Sequence, residues 1–367
     1  MRIIVIPTNV IYDRYPIRYK LRKILSYFKL VRPPKFNLNG ELNHYGELTR
    51  LIGATDVHVP VKLKDIYFND NIYSYRDNAL IENYPSNFNF IKPTYTSVES
   101  LKSRIAQFDA VIFSLQADEV FVDLVRLAKS SGVKVIFFDK KDHNQVYFNS
   151  KEDIYRGFKY LAPDFYLKQD VPLDNIDDKI VAICPVPCKP ADKTPFREEK
   201  RYTFSFIGDF KPGVTLPDRK LILDWLGSKF DDTYIRYSSD KSHFHTFSEM
   251  NNVYNDTKIL VSPSGIVWDS YRHADFIRYN SPILLPRPNT RTAPGDFIDM
   301  ENCILYDVEY KDINRAIIKN KEDLFDKLSY VLDNPDVQRR IRESYFDMIH
   351  SFHTRVKRSE YILSLIK

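Results

Sequence analysis

Residues 258–286 read KILVSPSGIVWDSYRHADFIRYNSPILLP. The stretch opens with a short apolar strand, Lys258 to Val261, and runs into a turn holding Pro263, Ser264 and Gly265. Trp268-Asp269-Ser270-Tyr271-Arg272 then open a helix, with Asp275 one turn past the arginine, and a second apolar strand, Pro282 to Leu285, closes the unit. Strand, glycine turn, helix and strand make a βαβ module, whose first turn lies at the carboxyl edge of a parallel sheet. Helix N-terminal N–H groups gather there and favour an anion. An arginine adds a planar fork that fits phosphate oxygens. An acid three residues on shares its face and can accept hydrogen bonds from sugar hydroxyls. Asp269 can cap the helix or pair with Arg272, and Trp268 and Tyr271 can either stack on a base or pack in the core. This chemistry suits a nucleotide diphosphate carrying a sugar.

At these residues the chain resembles the donor-binding half of GT-B glycosyltransferases, in particular the branch related to spore-maturation glycosyltransferase-like proteins. The resemblance runs through Thr257-Lys258-Ile259-Leu260-Val261-Ser262-Pro263-Ser264-Gly265, Asp269, Arg272 and Asp275. It continues through Pro282-Ile283-Leu284-Leu285, Pro294, Phe297 and Glu301-Asn302-Cys303-Ile304-Leu305-Tyr306. It covers residues 200–335 well and the N-terminal half weakly. Where the family carries a glutamate this chain has Asp275, one methylene shorter. The resemblance implies a GT-B fold, two Rossmann-like doubly wound α/β domains facing a central cleft. The C-terminal domain would hold the nucleotide-sugar and the N-terminal domain the acceptor.

Working outward, the N-terminal half alternates strand and helix signals. Ile3–Ile6, Val57–Val61, Ala110–Ser114 and Lys134–Phe138 read as strands; Leu48–Ile52, Val98–Phe108 and Val120–Ser130 read as helical. Residues 62–96 are rich in Asn, Tyr and Asp and read as a long insertion. Residues 184–201, CPVPCKPADKTPFREEKR, hold four prolines and a charge run, the signature of a linker. The expected domains are therefore residues 1–190 and 202–345, joined by 191–201. Within the second, strands at Tyr202–Ile207 and Tyr234–Tyr237 and helices at Asp218–Leu226, Phe247–Tyr254 and Lys321–Leu332 are expected. Pro335 starts a helical stretch to Lys367. The resemblance implies that its end, 346–367, returns toward the N-terminal domain.

Composition bounds the class. The chain has 367 residues, 43% hydrophobic and 28% charged, with a formal net charge of +5. That length suits two globular domains. No run of about 18 apolar residues is present, and residues 1–7 read as a strand rather than a signal peptide. A cytoplasmic protein is expected. Three cysteines, Cys184, Cys188 and Cys303, make no disulfide framework. Residues 14–35 carry Arg14, Arg18, Lys20, Arg22, Lys23, Lys29, Arg32 and Lys35 and no acid, with apolar residues at helical spacing. Such a helix either lies on an anionic membrane face or packs its stripe on the N-terminal sheet; nucleic acid is a third, weaker partner.

Two motifs are excluded. Gly208 to Gly213 has P-loop spacing, but Val214 stands where the lysine must be. No G-x-G occurs among the ten glycines, so the dinucleotide fingerprint is absent. The GT-B resemblance instead implies that Gly208, in Phe206-Ile207-Gly208, and the following Arg219 face the donor phosphates. On the acceptor side, Asp139, Asp142 and His143 follow the strand ending at Phe138, where polar residues reach a sheet's edge and one can serve as general base. This placement is similar to that of the base of GT-B phage DNA glucosyltransferases. Asp118 and Glu119 form a second candidate pair, and each acid can equally cap a turn. His243 and His245 lack a third ligand, and no D-x-D stands out as a metal site. Metal-independent transfer, with Lys and Arg carrying the leaving-group charge and no cofactor, is expected.

The sequence thus favours transfer of a sugar from a nucleotide-sugar to a hydroxyl of a glycan or lipid-linked saccharide. DNA is the alternative acceptor. A nucleotide-sugar epimerase and a non-catalytic glycan- or nucleic-acid-binding module are the competing classes.

Overall fold

The computed structural model describes residues 3–6, 55–59, 94–95, 102–114, 122–139, 162–168, 171, 173–174, 177–183, 188 and 191–366 except 239–245, 293 and 313. The expected helices at 14–35 and 48–52, the acids Asp118 and Glu119, and the pair His243 and His245 lie outside them.

The first sheet has seven strands. β1 is Ile3–Ile6, β2 Thr55–Val59, β3 Thr94–Tyr95, β4 Ala110–Ser114, β5 Lys134–Asp139, β6 Phe165–Lys168 and β7 Ile180–Ala182. Their order is β3-β2-β1-β4-β5-β6-β7, and the described pairings among β1 to β5 are parallel. Helix α1, Val122–Ser130, links β4 to β5. Central parallel strands are covered on both faces, so β4 and β5 are continuous apolar runs, with Val111, Ile112, Phe113, Val135, Ile136 and Phe137 all buried. Two expectations need correction. Thr94–Tyr95, at the end of the presumed insertion, is a strand paired to β2, and the helix expected over 98–108 ends as a 3₁₀ turn, Ile105–Gln107.

The second sheet has five strands: β8 Tyr202–Asp209, β9 Tyr234–Ser238, β10 Thr257–Val261, β11 Ile283–Pro286 and β12 Ile304–Tyr306. The order is β12-β11-β10-β8-β9, all parallel. Alternate residues of each strand feed two separate cores. Phe204, Phe206, Ile259, Val261, Leu284, Ile304 and Tyr306 pack on one face with Ile222, Leu223 and Leu226 of α2, Asp218–Lys229, and Leu324 and Leu328 of α5, Lys321–Asp333. Ile207, Leu260, Ile283, Leu285 and Leu305 pack on the other with Val253 and Tyr254 of α3, Phe247–Asn255, and Tyr345 and Phe346 of α6, Pro335–Met348. Each fully buried aliphatic or aromatic side chain contributes about 1.5–3 kcal/mol before entropy is counted. A capping box starts α3: the Thr246 hydroxyl accepts from Glu249 N, and Glu249 accepts from Thr246 N. Pro335 opens α6, where its missing N–H is no loss.

Three features depart from the sequence reading. A one-turn helix, α4 (Arg272–Asp275), and a 3₁₀ turn (Phe276–Arg278) replace the longer helix expected after the glycine turn. An antiparallel hairpin, β13 (Val308–Asp312) and β14 (Arg315–Ile318), follows β12. The final helical stretch is broken: α6 passes into a π-helix, Ile349–His353, Thr354 is extended, and α7 spans Arg355–Ile366.

The described residues fall into two compact units. The first holds those up to Asp139, 162–167 and 359–366; the second holds Lys168 to Arg358. The end of α7 thus belongs to the first unit, where Lys134 of β5 donates to Ile366 O at 2.7 Å. A lysine there complements the exposed carbonyls of the helix terminus.

Candidate functional site

In the second sheet the chain starts at β8, crosses to β9, then returns past β8 to β10. The switch point lies between β8 and β10, and ligands of open α/β sheets bind outside the carboxyl ends of the strands flanking such a point. Gly208 stands near the end of β8, and Ser264 and Gly265 stand in the turn after β10. The two loops are joined there by Leu216 N donating to Gly265 O at 2.9 Å.

Two arginines converge on this edge. Arg219, from α2, donates through Nε to Ser264 O at 2.8 Å and through Nη1 to Asp209 O at 2.5 Å. Arg272, from α4, donates through Nη2 to Ile207 O at 3.1 Å. Both guanidinium carbons lie over the ring of Phe206, at 5.4 and 5.2 Å from its centroid. Gly208 makes this possible: a Cβ there would meet Arg272 Nη2 at 2.8 Å. Among the described residues neither arginine is ion-paired. Burial, and then the charge of Arg272, bring the Arg219 guanidinium down to about 10. Burial opposes the charge of Arg272 too, but Tyr271, Tyr254 and Asp209 outweigh it and hold it above the usual arginine value. Both are cations at neutral pH, held mainly by backbone carbonyls. They keep several donors for another acceptor.

The expected helix N-terminus is not part of this arrangement. Four residues of α4 align too few peptide dipoles to build an end charge, so the positive field comes from the guanidiniums. What fixes the long turn is a residue the sequence reading passed over, the wholly buried His273. Its Nε2 lies 2.8 Å from Trp268 O, which can only accept, so Nε2 carries the proton. Nδ1 then accepts from the Ser262 hydroxyl at 2.8 Å. Burial holds His273 down to about 3, so it stays neutral. The imidazole ties the end of β10 to the residues just before Arg272.

The other candidates separate by burial. Tyr271 is 55% exposed, with the Arg272 guanidinium 4.7 Å from its ring centroid. Trp268 is in the core, its indole N–H given to Pro286 O at 2.9 Å, which removes it as a stacking surface. Ser264 is buried, its hydroxyl 3.1 Å from Tyr310 Oη of the hairpin. Its carbonyl holds Arg219, and its N–H is given to Asp218 Oδ2 at 3.2 Å. Asp269 is buried. Asp275 is half-buried and paired with Arg278, Nη2 to Oδ1 2.6 Å, so an approaching hydroxyl competes with that arginine. Gly208, Arg219, Ser264, Gly265 and Arg272 are therefore brought together, with Tyr271 at their edge.

On the acceptor side, β5 extends one residue further than expected. Asp139 is its last residue rather than the first beyond it. Asp142 and His143 lie outside the described residues. Among the described residues no group of three or more His, Cys, Asp or Glu is placed to hold a metal, and no helix is long and apolar enough to cross a membrane.

No protein-family profile and no curated protein sequence matches the chain. Solved structures do. HepE of Anabaena in complex with UDP-glucose aligns with a TM-score of 0.51 at 7% identity, over 99% of this chain and 98% of that one. The same protein with UDP aligns at 0.50 and 7%, over 99% of both chains. With the parallel sheets, these likenesses give the chain the GT-B fold, an α/β fold of two Rossmann-like units.

Proposed function

We propose that the chain is a glycosyltransferase moving a sugar from a nucleotide-diphosphate donor to a hydroxyl of a glycan or lipid-linked acceptor. One observation carries this reading: two arginines that form no ion pair among the described residues converge at the switch point of the second sheet. Cations withdrawn from water and held mainly by backbone carbonyls are costly unless further negative charge arrives with a ligand. A diphosphate suits the pair, because two guanidinium forks span two phosphoryl groups with charge-assisted hydrogen bonds. Tyr271 offers an open ring beside them for a base or sugar face. Developing charge on the departing diphosphate would be stabilised by the same two forks, so transfer needs no metal. That HepE was crystallised with UDP and with UDP-glucose is in keeping with this ligand class. The finer likeness to the spore-maturation branch belongs to the same proposal.

The N-terminal unit supplies the base in this reading. Asp139 closes β5 at the carboxyl edge of the first sheet, where acids of parallel sheets serve catalysis. Isothermal titration with UDP-, GDP-, CMP- and TDP-sugars tests donor binding, and turnover against saccharide acceptors tests transfer. The expected result is saturable binding of one nucleotide-sugar class. Asp139→Asn should lower turnover about a hundredfold, the scale of general-base loss, with donor affinity unchanged. No binding by any nucleotide-sugar would end the proposal. Product formed from donor alone would move the chain to the epimerase class.

A further inference from the structure

Asp218, the first residue of α2, occupies a singular position. It is 0% exposed. Its Oδ2 accepts from Ser264 N at 3.2 Å and from the Tyr306 hydroxyl at 2.9 Å. The carboxyl thus joins the loop after β8, the turn after β10 and the end of β12 at one point. Its Oδ1 is equally buried and has no hydrogen-bond partner. The groups facing it are Arg219 from its own helix, Ser264 from the β10 turn, Tyr306 from β12 and Tyr310 from the hairpin.

Arg219 is the neighbour that ought to pair with a carboxylate, and it does not. Its fork is turned to Ser264 O and Asp209 O, and no ion pair joins the two side chains. A buried, ionised carboxylate beside a guanidinium gains strongly from facing it. An ionised group with one oxygen unsolvated and unpaired is costly, whereas a protonated one leaves a far cheaper neutral hydroxyl. Burial pushes the Asp218 carboxyl up, against the hydrogen bonds and the Arg219 charge that would lower it.

We infer that Asp218 is a positioning residue that stays uncharged, an acid that fastens the loops of the switch point by hydrogen bonds while leaving the full charge of Arg219 and Arg272 to the bound anion. A charged acid in its place would cancel half of that charge. The inference rests on the reading of the two arginines as the anion site.

Asp218→Asn keeps the shape and cannot ionise. Titration with inorganic pyrophosphate and with UDP-glucose at neutral pH should give affinities within about threefold of the wild-type chain. If Asp218 is ionised, removing its charge beside two cations should instead tighten pyrophosphate binding by about tenfold or more, which would overturn the inference. As pH rises and the carboxyl ionises, the wild-type affinity for UDP-glucose should fall, and that of the variant should not. UDP-glucose has no phosphate proton titrating near neutrality, so this profile reports the protein. A wild-type affinity that stays flat through alkaline pH while Arg219 remains charged leaves the neutral acid standing only if the second measurement finds its proton. That measurement is the infrared carbonyl band of a protonated carboxyl in the ligand-free chain, carried by isotope-labelled aspartate. Its presence at neutral pH and loss in Asp218→Asn supports the inference, and its absence from the wild-type chain overturns it whether or not the variant folds. If the band is there but neither anion binds, the donor-site reading fails while the neutral acid holds.

Discussion

At the scale of single residues, the candidate site depends on spacing finer than an ångström. Arg272 can reach Ile207 O only because Gly208 leaves the space a Cβ would fill. Its guanidinium is also held between the rings of Phe206 and Tyr271, which makes its direction a property of three side chains. Arg272→Ala removes the fork and leaves this scaffold in place. Nucleotide-sugar affinity should fall by about 1.5–3 kcal/mol, roughly ten- to hundredfold, if a charge-assisted phosphate bond is lost. Calorimetric titration of a variant with an unchanged melting temperature checks this, and unaltered affinity would remove Arg272 from the site. The position of Arg272 at the sheet edge was legible in the sequence, since an arginine after a Pro-Ser-Gly turn at a strand's end is placed by local grammar alone. The fate of Trp268 was not. Whether an indole faces ligand or core depends on what packs over it, here His273 and Phe297, which no local pattern reveals. Asp218 was missed for the same reason: an acid in a helix's first turn reads as a favourable end charge, and its burial comes from Tyr306, 88 positions away.

At the scale of elements, four of the five strands of the second sheet, all but β12, were legible almost to the residue because apolar runs bounded by turns have one reading in a parallel sheet. Tyr202–Ile207 became Tyr202–Asp209, and Lys258–Val261 became Thr257–Val261. The hairpin β13–β14 was not foreseen. It has no Gly in its turn, and its strands carry Glu309, Lys311, Asp312 and Arg315, so its pattern is that of a charged loop. Yet it brings Tyr310 to Ser264, fastening the turn after β10 from outside the sheet. The break in the last helical stretch was hidden as well. The π-helix Ile349–His353 is held from the side, with His353 Nε2 donating to Gly295 O at 3.1 Å and Cys188 N donating to His353 O at 3.0 Å. Gly295 has φ +91, and a Cβ on it would lie 2.5 Å from Phe352 Cδ2. Both conformation and space therefore demand glycine. Gly295→Ala should destabilise the chain by about 2 kcal/mol or more through left-handed strain and overpacking. Urea unfolding measures this, and a change below about 0.5 kcal/mol would show that the loop can move away at little cost.

At the scale of the whole molecule, sequence grammar reached the two α/β halves but not where the chain passes from one to the other. The proline-rich stretch suggested a boundary at 190, whereas contacts assign residues from Lys168 onward to the second unit and return 359–366 to the first. Compactness is decided by partners distant in sequence, such as Thr194 O and Arg342 Nη2 at 2.6 Å, which bind the supposed linker to α6. The second unit also contains two buried histidines, His273 and His353, each held down to about 3 by burial. Folded, both remain neutral; unfolded, each takes up a proton near the ordinary value of about 6.5. Their folded values are depressed, so the unfolded state binds more protons between about pH 3 and 6.5 and stability falls as pH drops through that window. The loss is about 1.4 kcal/mol per pH unit for each histidine below about 6.5, so two together remove several kcal/mol by pH 5. That is most of the margin at the low end of the usual range of about 5–15 kcal/mol. Acid unfolding of the chain should accordingly set in between about pH 4 and 5.5, with proton uptake approaching two per unfolding event in that range. Replacing His353 with Gln, which keeps an amide donor for Gly295 O, should flatten the pH dependence by about one proton. If stability above pH 4 proves independent of pH in the wild-type chain, the two imidazoles are not buried neutral and the clamp assigned to His273 loses its basis.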